Sequence, residues 1–351
     1  MSDAFPRSTR AAILTAHKQP LTLAEVTLPT ELGPGHVLVR LQTSGICGAQ
    51  LGEIEGAKGA DPYIPHLLGH EGAGSVLAIG PGVTVVKPGD HVILHWRKGR
   101  GIDAKPATYA WQGKPLNAGW VTTFNEYSVV SENRVTPVVA DLDDEIAALF
   151  GCAVTSALGV LTNNAHLRIG ESVVVLGVGG VGLNVVQGAA LMSAHPIVAV
   201  DLYDSKLALA KSLGATHTLN VRGRDVRPLL ADILGKAGAD VIVECTGVVD
   251  MIQAAYELSA AEGRVVLVGV PKKGNTISIY SLPLHFGKVL TGSHGGDTEP
   301  STDIPRYLRL FQAGKLDLRR IITDRFRFEE INSALDKMRA GEIAGRCILS
   351  F

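Results

Sequence analysis

Cysteine and charge are both scarce in this chain, and each scarcity narrows what it can be. Its four cysteines, Cys47, Cys152, Cys245 and Cys347, stand far apart with no C-x-x-C pair. That argues against a disulfide scaffold or a four-cysteine zinc lobe and fits a reducing compartment. Charged residues are 19% and hydrophobic residues 46% of the chain, too apolar and too weakly charged for disorder. Lys and Arg number 33 against 34 Asp and Glu, for a formal net charge of -1. No global field therefore draws the protein to nucleic acid or to an anionic membrane, and neither is expected as a partner. Between Met1 and Val26 the charges Asp3, Arg7, Arg10, Lys18 and Glu25 leave no apolar leader core, so the expected location is cytoplasmic.

No formally charged residue lies between Glu171 and Asp201, a window long enough to imitate a membrane span. Its interior contradicts a span: a β-branched run Val173–Leu176, a glycine-rich turn Gly177–Gly182, Asn184, Gln187, and Pro196 before another β-branched run. The stretch reads as strand, turn, helix, strand.

What is abundant is glycine, 40 of 351 residues, above the usual roughly 7%. The length suits roughly two domains of about 150 residues. The first 150 residues show short β-rich runs, Val37–Leu41, Gly74–Ile79, His91–Leu94 and Glu126–Val130, between Gly/Pro breaks. From Glu171 the rhythm changes. Apolar runs at Val173–Leu176, Ile197–Val200, Val241–Val243 and Arg264–Val268 alternate with helical periodicity such as Ser205–Leu213, which predicts βαβ units and a parallel sheet. Thr276–Tyr280 also looks strand-like. Helices are expected near Ile304–Ala313 and Glu329–Ala340, with strand-like runs at Arg325–Phe328 and Arg346–Phe351.

Gly177, Gly179, Gly180, Val181 and Gly182 form a G-x-G-x-x-G turn directly after a strand and before a helix. Such glycines let the backbone approach a pyrophosphate, and the helix N-terminus offers it unpaired N–H groups. Asp201 closes the next strand, where a carboxylate accepts the adenosine ribose hydroxyls and repels a 2′-phosphate, so NAD is expected over NADP. Lys206 on the following helix is a further ribose candidate.

Outside that region Cys47 stands in Ser44-Gly45-Ile46-Cys47-Gly48, His70 in Leu68-Gly69-His70-Glu71-Gly72, and Cys152 in Phe150-Gly151-Cys152-Ala153. No spacing rule joins them. On the residues alone Cys152 reads equally as a small buried hydrophobe and His70 as a hydrogen-bonded core histidine.

At these positions the chain resembles the zinc-dependent medium-chain alcohol dehydrogenases, of polyol- or sorbitol-dehydrogenase-like type. The likeness also rests on Lys87-Pro88-Gly89-Asp90-His91-Val92, Phe124-Asn125-Glu126-Tyr127, the glycine turn with Asp201 and Lys206, Val268-Gly269-Val270, and Gly345-Arg346-Cys347-Ile348-Leu349. It implies an α/β fold in which a doubly wound parallel Rossmann sheet is inserted in a GroES-like β-rich catalytic domain. That domain spans 1–153 plus 295–351, the NAD-binding domain spans 154–294, and the substrate sits in a cleft between them. Cys47, His70 and Cys152 would hold one catalytic zinc with a fourth position open, with Glu71 beside it able to modulate or transiently bind the ion. Val268, Val270 and Ser293 would cradle the nicotinamide, and Arg346 would face the pyrophosphate. Trp96 and Arg97 would line the substrate cleft, the ring against a sugar-like face and the guanidinium on a polar or anionic end.

Two departures stand out. The stretch from His95 to Trp120 has no cysteine, so the structural zinc of many relatives is not expected. The position two past Cys47, usually Ser or Thr, is Ala49, and the next, usually acidic, is Gln50. Any proton relay then runs through water, cofactor ribose, Glu53 or His95. The resemblance implies a hydride transfer between NAD(H) and a secondary alcohol or ketone, on a polyol or sugar-like small molecule, in a homodimer or homotetramer. The alternatives are an NAD(P)H-dependent reductase of an activated C=C or C=N bond, and a non-catalytic nucleotide-binding protein.

Overall fold

The computed structural model describes residues 5–139 and 141–351. They form two compact units. One comprises the described residues through Cys152 together with Glu299–Arg309 and Ile322–Phe351; the other comprises Ala153–Thr298 and Leu310–Ile321. The second unit thus also takes in residues 310–321.

The first unit is built on antiparallel strands. Its larger sheet runs in the order Val135–Val138, His91–His95, Glu71–Ile79, His36–Ile46, Arg346–Ser350, Ile322–Arg327, with Tyr127–Ser131 also pairing with His36–Ile46. Alternation explains why these residues form strands: Val37, Val39, Leu41, Val76, Val92 and Leu94 point into one apolar cluster. A smaller sheet runs His66–Leu67, Ser8–Leu14, Thr22–Thr27, Tyr109–Trp111, Lys114–Leu116. The last two strands are a hairpin inside the cysteine-free stretch.

The second unit holds one six-stranded parallel sheet, ordered His217–Asn220, Ile197–Asp201, Val173–Leu176, Ala239–Glu244, Ser259–Leu267, Val289–Gly292. In chain order within the unit this is 3-2-1-4-5-6, the doubly wound arrangement. Its central strand, Val173–Leu176, is buried along its whole length, which is why it reads as an unbroken apolar run instead of alternating. Helices Gly180–Leu191, Asp204–Ser212, Val226–Leu234 and Val249–Leu258 connect the strands.

Two glycines are obligatory where the first strand turns into its helix. Gly177 has φ +89°, and a Cβ at Gly182 would sit 2.1 Å from the Gly177 carbonyl oxygen. The strand expected at Thr276–Tyr280 is absent; that segment has no regular structure, and the sheet ends instead on Val289–Gly292. Flanked by Lys272, Lys273 and Gly274, with Tyr280 71% exposed, it finds no sheet edge within this chain. Among the described residues no helix is long and apolar enough to cross a membrane.

Candidate active site

Three neighbouring chain reversals in the first unit bring two sulfurs and an imidazole together. Cys47 follows strand His36–Ile46 and occupies the N-cap of helix Gly48–Ile54. His70 immediately precedes strand Glu71–Ile79, whose Gly72 pairs with Ser44. Cys152 follows helix Asp144–Leu149. Their ligand atoms all lie within 4.8 Å of one another. Cys152 is buried, while Cys47 and His70 are half-buried.

The chemistry of the group is that of a metal centre. A hydrogen bond from Cys152 holds the Cys47 thiol well below the ordinary cysteine range; burial opposes this, while His70 and Arg346 assist it. The other two cysteines go the opposite way: burial pushes Cys347 up to about 12, and Cys245 further still. His70 Nε2 is buried without a hydrogen-bond partner. A thiol poised to ionise, a second sulfur within reach and an orphaned imidazole nitrogen make a donor set that zinc fits. Glu71 is fully buried against Arg346, itself 3% exposed. Glu71 Oε1 takes the Arg346 guanidinium, and Oε2 is left unpartnered. Gly45 makes room for the pair, since a Cβ there would lie 2.8 Å from the Glu71 carboxyl carbon.

The Trp96 ring meets His70 edge to face with centroids 6.5 Å apart, so of the two cleft candidates the tryptophan stands beside the metal set. Arg97 lies over the indole, 6.0 Å from its centroid, and is not a free cation. His95 is not available to carry protons. Burial drives it down to about 4, leaving it neutral at physiological pH. Both its ring nitrogens are engaged, Nδ1 with the Arg97 carbonyl and Nε2 with Thr136 Oγ1. Glu53 faces His66 with Asp61.

In the second unit the nucleotide candidates gather where the parallel strands end, the edge at which doubly wound sheets bind ligands. Gly179 caps helix Gly180–Leu191, with nothing within 4 Å of where a Cβ would stand. Gly180, Val181 and Gly182 form its first turn. Asp201 ends its strand; Oδ2 accepts from the Val178 N–H (2.9 Å) and Oδ1 from the Leu202 N–H (2.7 Å). Lys206 Nζ and Arg222 lie 5.1 and 4.7 Å from the Tyr203 ring centroid. Val268 and Val270 follow strand Ser259–Leu267, and Ser293 follows Val289–Gly292.

Sequence reasoning missed Arg222, whose cation stacks on Tyr203, two residues past Asp201, because it follows the strand His217–Asn220 that pairs with Ile197–Asp201. It also left Gln50 without a role. That side chain is 1% exposed and touches both Cys47 and His70; its spacing, three past Cys47, was the available signal.

Residues 33–140 match the family model for the alcohol dehydrogenase GroES-like domain, and residues 180–313 match that for zinc-binding dehydrogenases. The chain is 34% identical to an alcohol dehydrogenase class-3 from Cereibacter sphaeroides over 95% of its own length and 97% of the relative. It is likewise 34% identical to an S-(hydroxymethyl)glutathione dehydrogenase from Paracoccus denitrificans, with coverages of 95% and 97%. Among solved structures, benzyl alcohol dehydrogenase from Acinetobacter calcoaceticus superposes with a TM-score of 0.88 at 27% identity, covering 99% of this chain and 100% of that one.

Proposed function

Because the chain belongs to the zinc-dependent medium-chain alcohol dehydrogenase family and is an NAD-dependent oxidoreductase of alcohols, we propose that its substrate is a secondary alcohol of polyol or sugar-like type. The observation that carries this reading is the Cys47, His70 and Cys152 donor set with Trp96 standing beside it.

Cys47, His70 and Cys152 are the residues that hold zinc in this reading. When bound, zinc supplies a Lewis acid for the substrate oxygen and NAD a hydride acceptor. Arg346 pairs with the Glu71 carboxylate behind the sulfurs, so that acidic side chain is not buried without a counter-charge. Trp96 excludes water and offers its face to the apolar side of a polyhydroxylated chain or ring, with Arg97 at its margin. Gly177 to Gly182 receive the pyrophosphate at a helix N-terminus, Asp201 and Lys206 the ribose, and Val268, Val270 and Ser293 the nicotinamide. Ala49 has no group to relay a proton, and His95 is already bonded at both ring nitrogens, so neither of these two side chains would carry the substrate proton.

The catalytic domain is taken as 1–153 plus 295–351 and the NAD-binding domain as 154–294, in a cytoplasmic homodimer or homotetramer. Phe286, 70% exposed, and Val289, 41% exposed, support association along the sheet edge.

The test is NADH-linked absorbance with the zinc-loaded enzyme over polyols, sugar alcohols, simple alcohols, benzyl alcohol and S-(hydroxymethyl)glutathione. The expected result is the highest kcat/KM on a polyol. A higher value on either of the last two compounds would overturn the substrate assignment.

A further inference from the structure

Gln50 stands between two groups that make opposite demands on it. It is the third residue of helix Gly48–Ile54 and one of the most completely buried polar side chains in the first unit, at 1% exposure. On one side, its Oε1 accepts the Cys47 backbone N–H at 2.9 Å, closing the helix cap. A backbone N–H can only donate, so the amide atom facing it is the oxygen. That choice fixes the other side. The atom facing His70 Nδ1 is the amide nitrogen, which can only donate.

His70 Nδ1 is therefore an acceptor and carries no proton. A neutral imidazole has one proton, which then sits on Nε2, the buried nitrogen without a partner. An ion held by Cys47, His70 and Cys152 needs the Nε2 lone pair, since Nδ1 is filled by Gln50. The ring must exchange tautomers on loading: Nε2 gives up its proton and Nδ1 gains one, with the proton count on the ring unchanged. The new Nδ1–H then points at the Gln50 amide nitrogen, donor against donor. Turning the amide over relieves that clash and creates another, because its nitrogen now faces the Cys47 N–H. In either orientation one of the two donors faces the amide nitrogen.

Resting on the zinc reading of the site, we propose that Gln50 is a positioning residue that holds His70 in the Nε2–H tautomer and so opposes metal loading, which must reverse the amide and release the cap of the helix that carries Cys47. A ligating histidine more commonly gives its second N–H to a carboxylate or carbonyl, an acceptor that asks nothing in return. Gln50 replaces that acceptor with a two-faced group, and the site binds its ion less tightly and exchanges it more readily for that reason.

Gln50→Glu keeps the shape and provides two acceptor oxygens, one for each donor. Zinc affinity of the metal-free chains is measured by competition with a chromophoric chelator, wild type against Gln50→Glu. The variant should bind zinc about tenfold more tightly, the lower end of what partners behind metal ligands contribute. A second arm uses the wild type alone. In protein with 15N-labelled histidine, with His70→Asn as the assignment control, ring 15N shifts should report Nε2–H in the metal-free chain and Nδ1–H after zinc is added. Equal zinc affinities of the two chains, or an Nδ1–H ring in the metal-free wild type, would overturn the proposal and leave the zinc reading standing. Failure of both chains to bind zinc would overturn the zinc reading and this proposal with it.

Discussion

A single carboxylate, Asp201, decides between two cofactors, and its surroundings sharpen the decision. Its oxygens are held by the N–H groups of Val178 and Leu202, so the charge is fixed at the end of its strand and does not swing away from a phosphate. Lys206 and Arg222 stack on Tyr203, two residues past Asp201. Removing the carboxylate takes away the charge that repels a 2′-phosphate. Asp201→Ala should therefore raise kcat/KM for NADP relative to NAD by at least about tenfold, or roughly 1.4 kcal/mol. Steady-state kinetics with both cofactors checks this, and a wild type that already prefers NADP would contradict it. A second residue-scale effect concerns stability. His91 Nε2 lies 2.6 Å from Asp144 Oδ1, and that bond raises the histidine above its ordinary value against the opposing pull of burial. A raised histidine stabilises the fold fully below its unfolded value near 6.5 and loses that contribution as pH rises through the folded value. Asp144→Asn should thus cost about 1 kcal/mol more at pH 6 than at pH 9 in urea unfolding, a modest figure because the carboxylate is 35% exposed. A cost equal at the two pH values would show that the pair contributes nothing through protonation.

At the scale of the element, the strand–turn–helix from Val173 to Leu191 separates two uses of glycine that its motif writes identically. A Cβ on Gly182 would collide with the Gly177 carbonyl at 2.1 Å, whereas one on Gly179 meets nothing within 4 Å. Gly182→Ala should lower Tm by several degrees, as a main-chain overlap forces helix and strand apart. Gly179→Ala should leave Tm unchanged and weaken NADH binding about tenfold or more, because the methyl occupies space reserved for the pyrophosphate. Calorimetry and NADH fluorescence separate the two, and a Gly179→Ala protein with normal NADH affinity would remove the phosphate from that turn. This element was legible because its strand is buried on both faces and so is apolar throughout. Strand His217–Asn220 was not: it is an outer strand with two of its four residues exposed, and nothing in its composition marks it. Thr276–Tyr280 failed in the other direction, since β-branched residues and a tyrosine name a strand only when an edge is there to pair with. The metal set was legible only through likeness to a family, because Cys47, His70 and Cys152 meet by strand register and not by spacing. The hold of Gln50 on His70 follows from the direction of hydrogen bonds, which no sequence pattern records.

Across the whole molecule, the stretch from His95 to Trp120 shows how a lobe can be held without cysteine. Glu132, fully buried, accepts the backbone N–H groups of Thr84 (2.6 Å), Val85 (2.8 Å) and Ile102 (2.7 Å). Burial alone would push its carboxyl up, yet these N–H groups bring it below the ordinary glutamate value. Ser131 Oγ takes the Ala104 N–H, and Lys98 pairs with Asp103 at the rim. A depressed carboxyl contributes stability at neutral pH and loses it only as pH falls through the folded value, so the clasp is closed under working conditions. The other three-residue group that could hold an ion among the described residues, Glu53, Asp61 and His66, has no thiolate and already pairs its imidazole with Asp61 at 3.1 Å, which makes it a poor competitor for zinc. Metal analysis should find one zinc per chain. Chelation at pH 7 should abolish turnover while leaving NADH binding within about twofold, because the glycine turn and Asp201 belong to the other unit. The loop around Ile102 should keep its resistance to limited proteolysis after chelation and lose it in Glu132→Gln, where one acceptor becomes a donor facing backbone N–H groups. Two zincs per chain, or a loop that opens when the chelator is added, would mean that metal and not Glu132 closes the lobe.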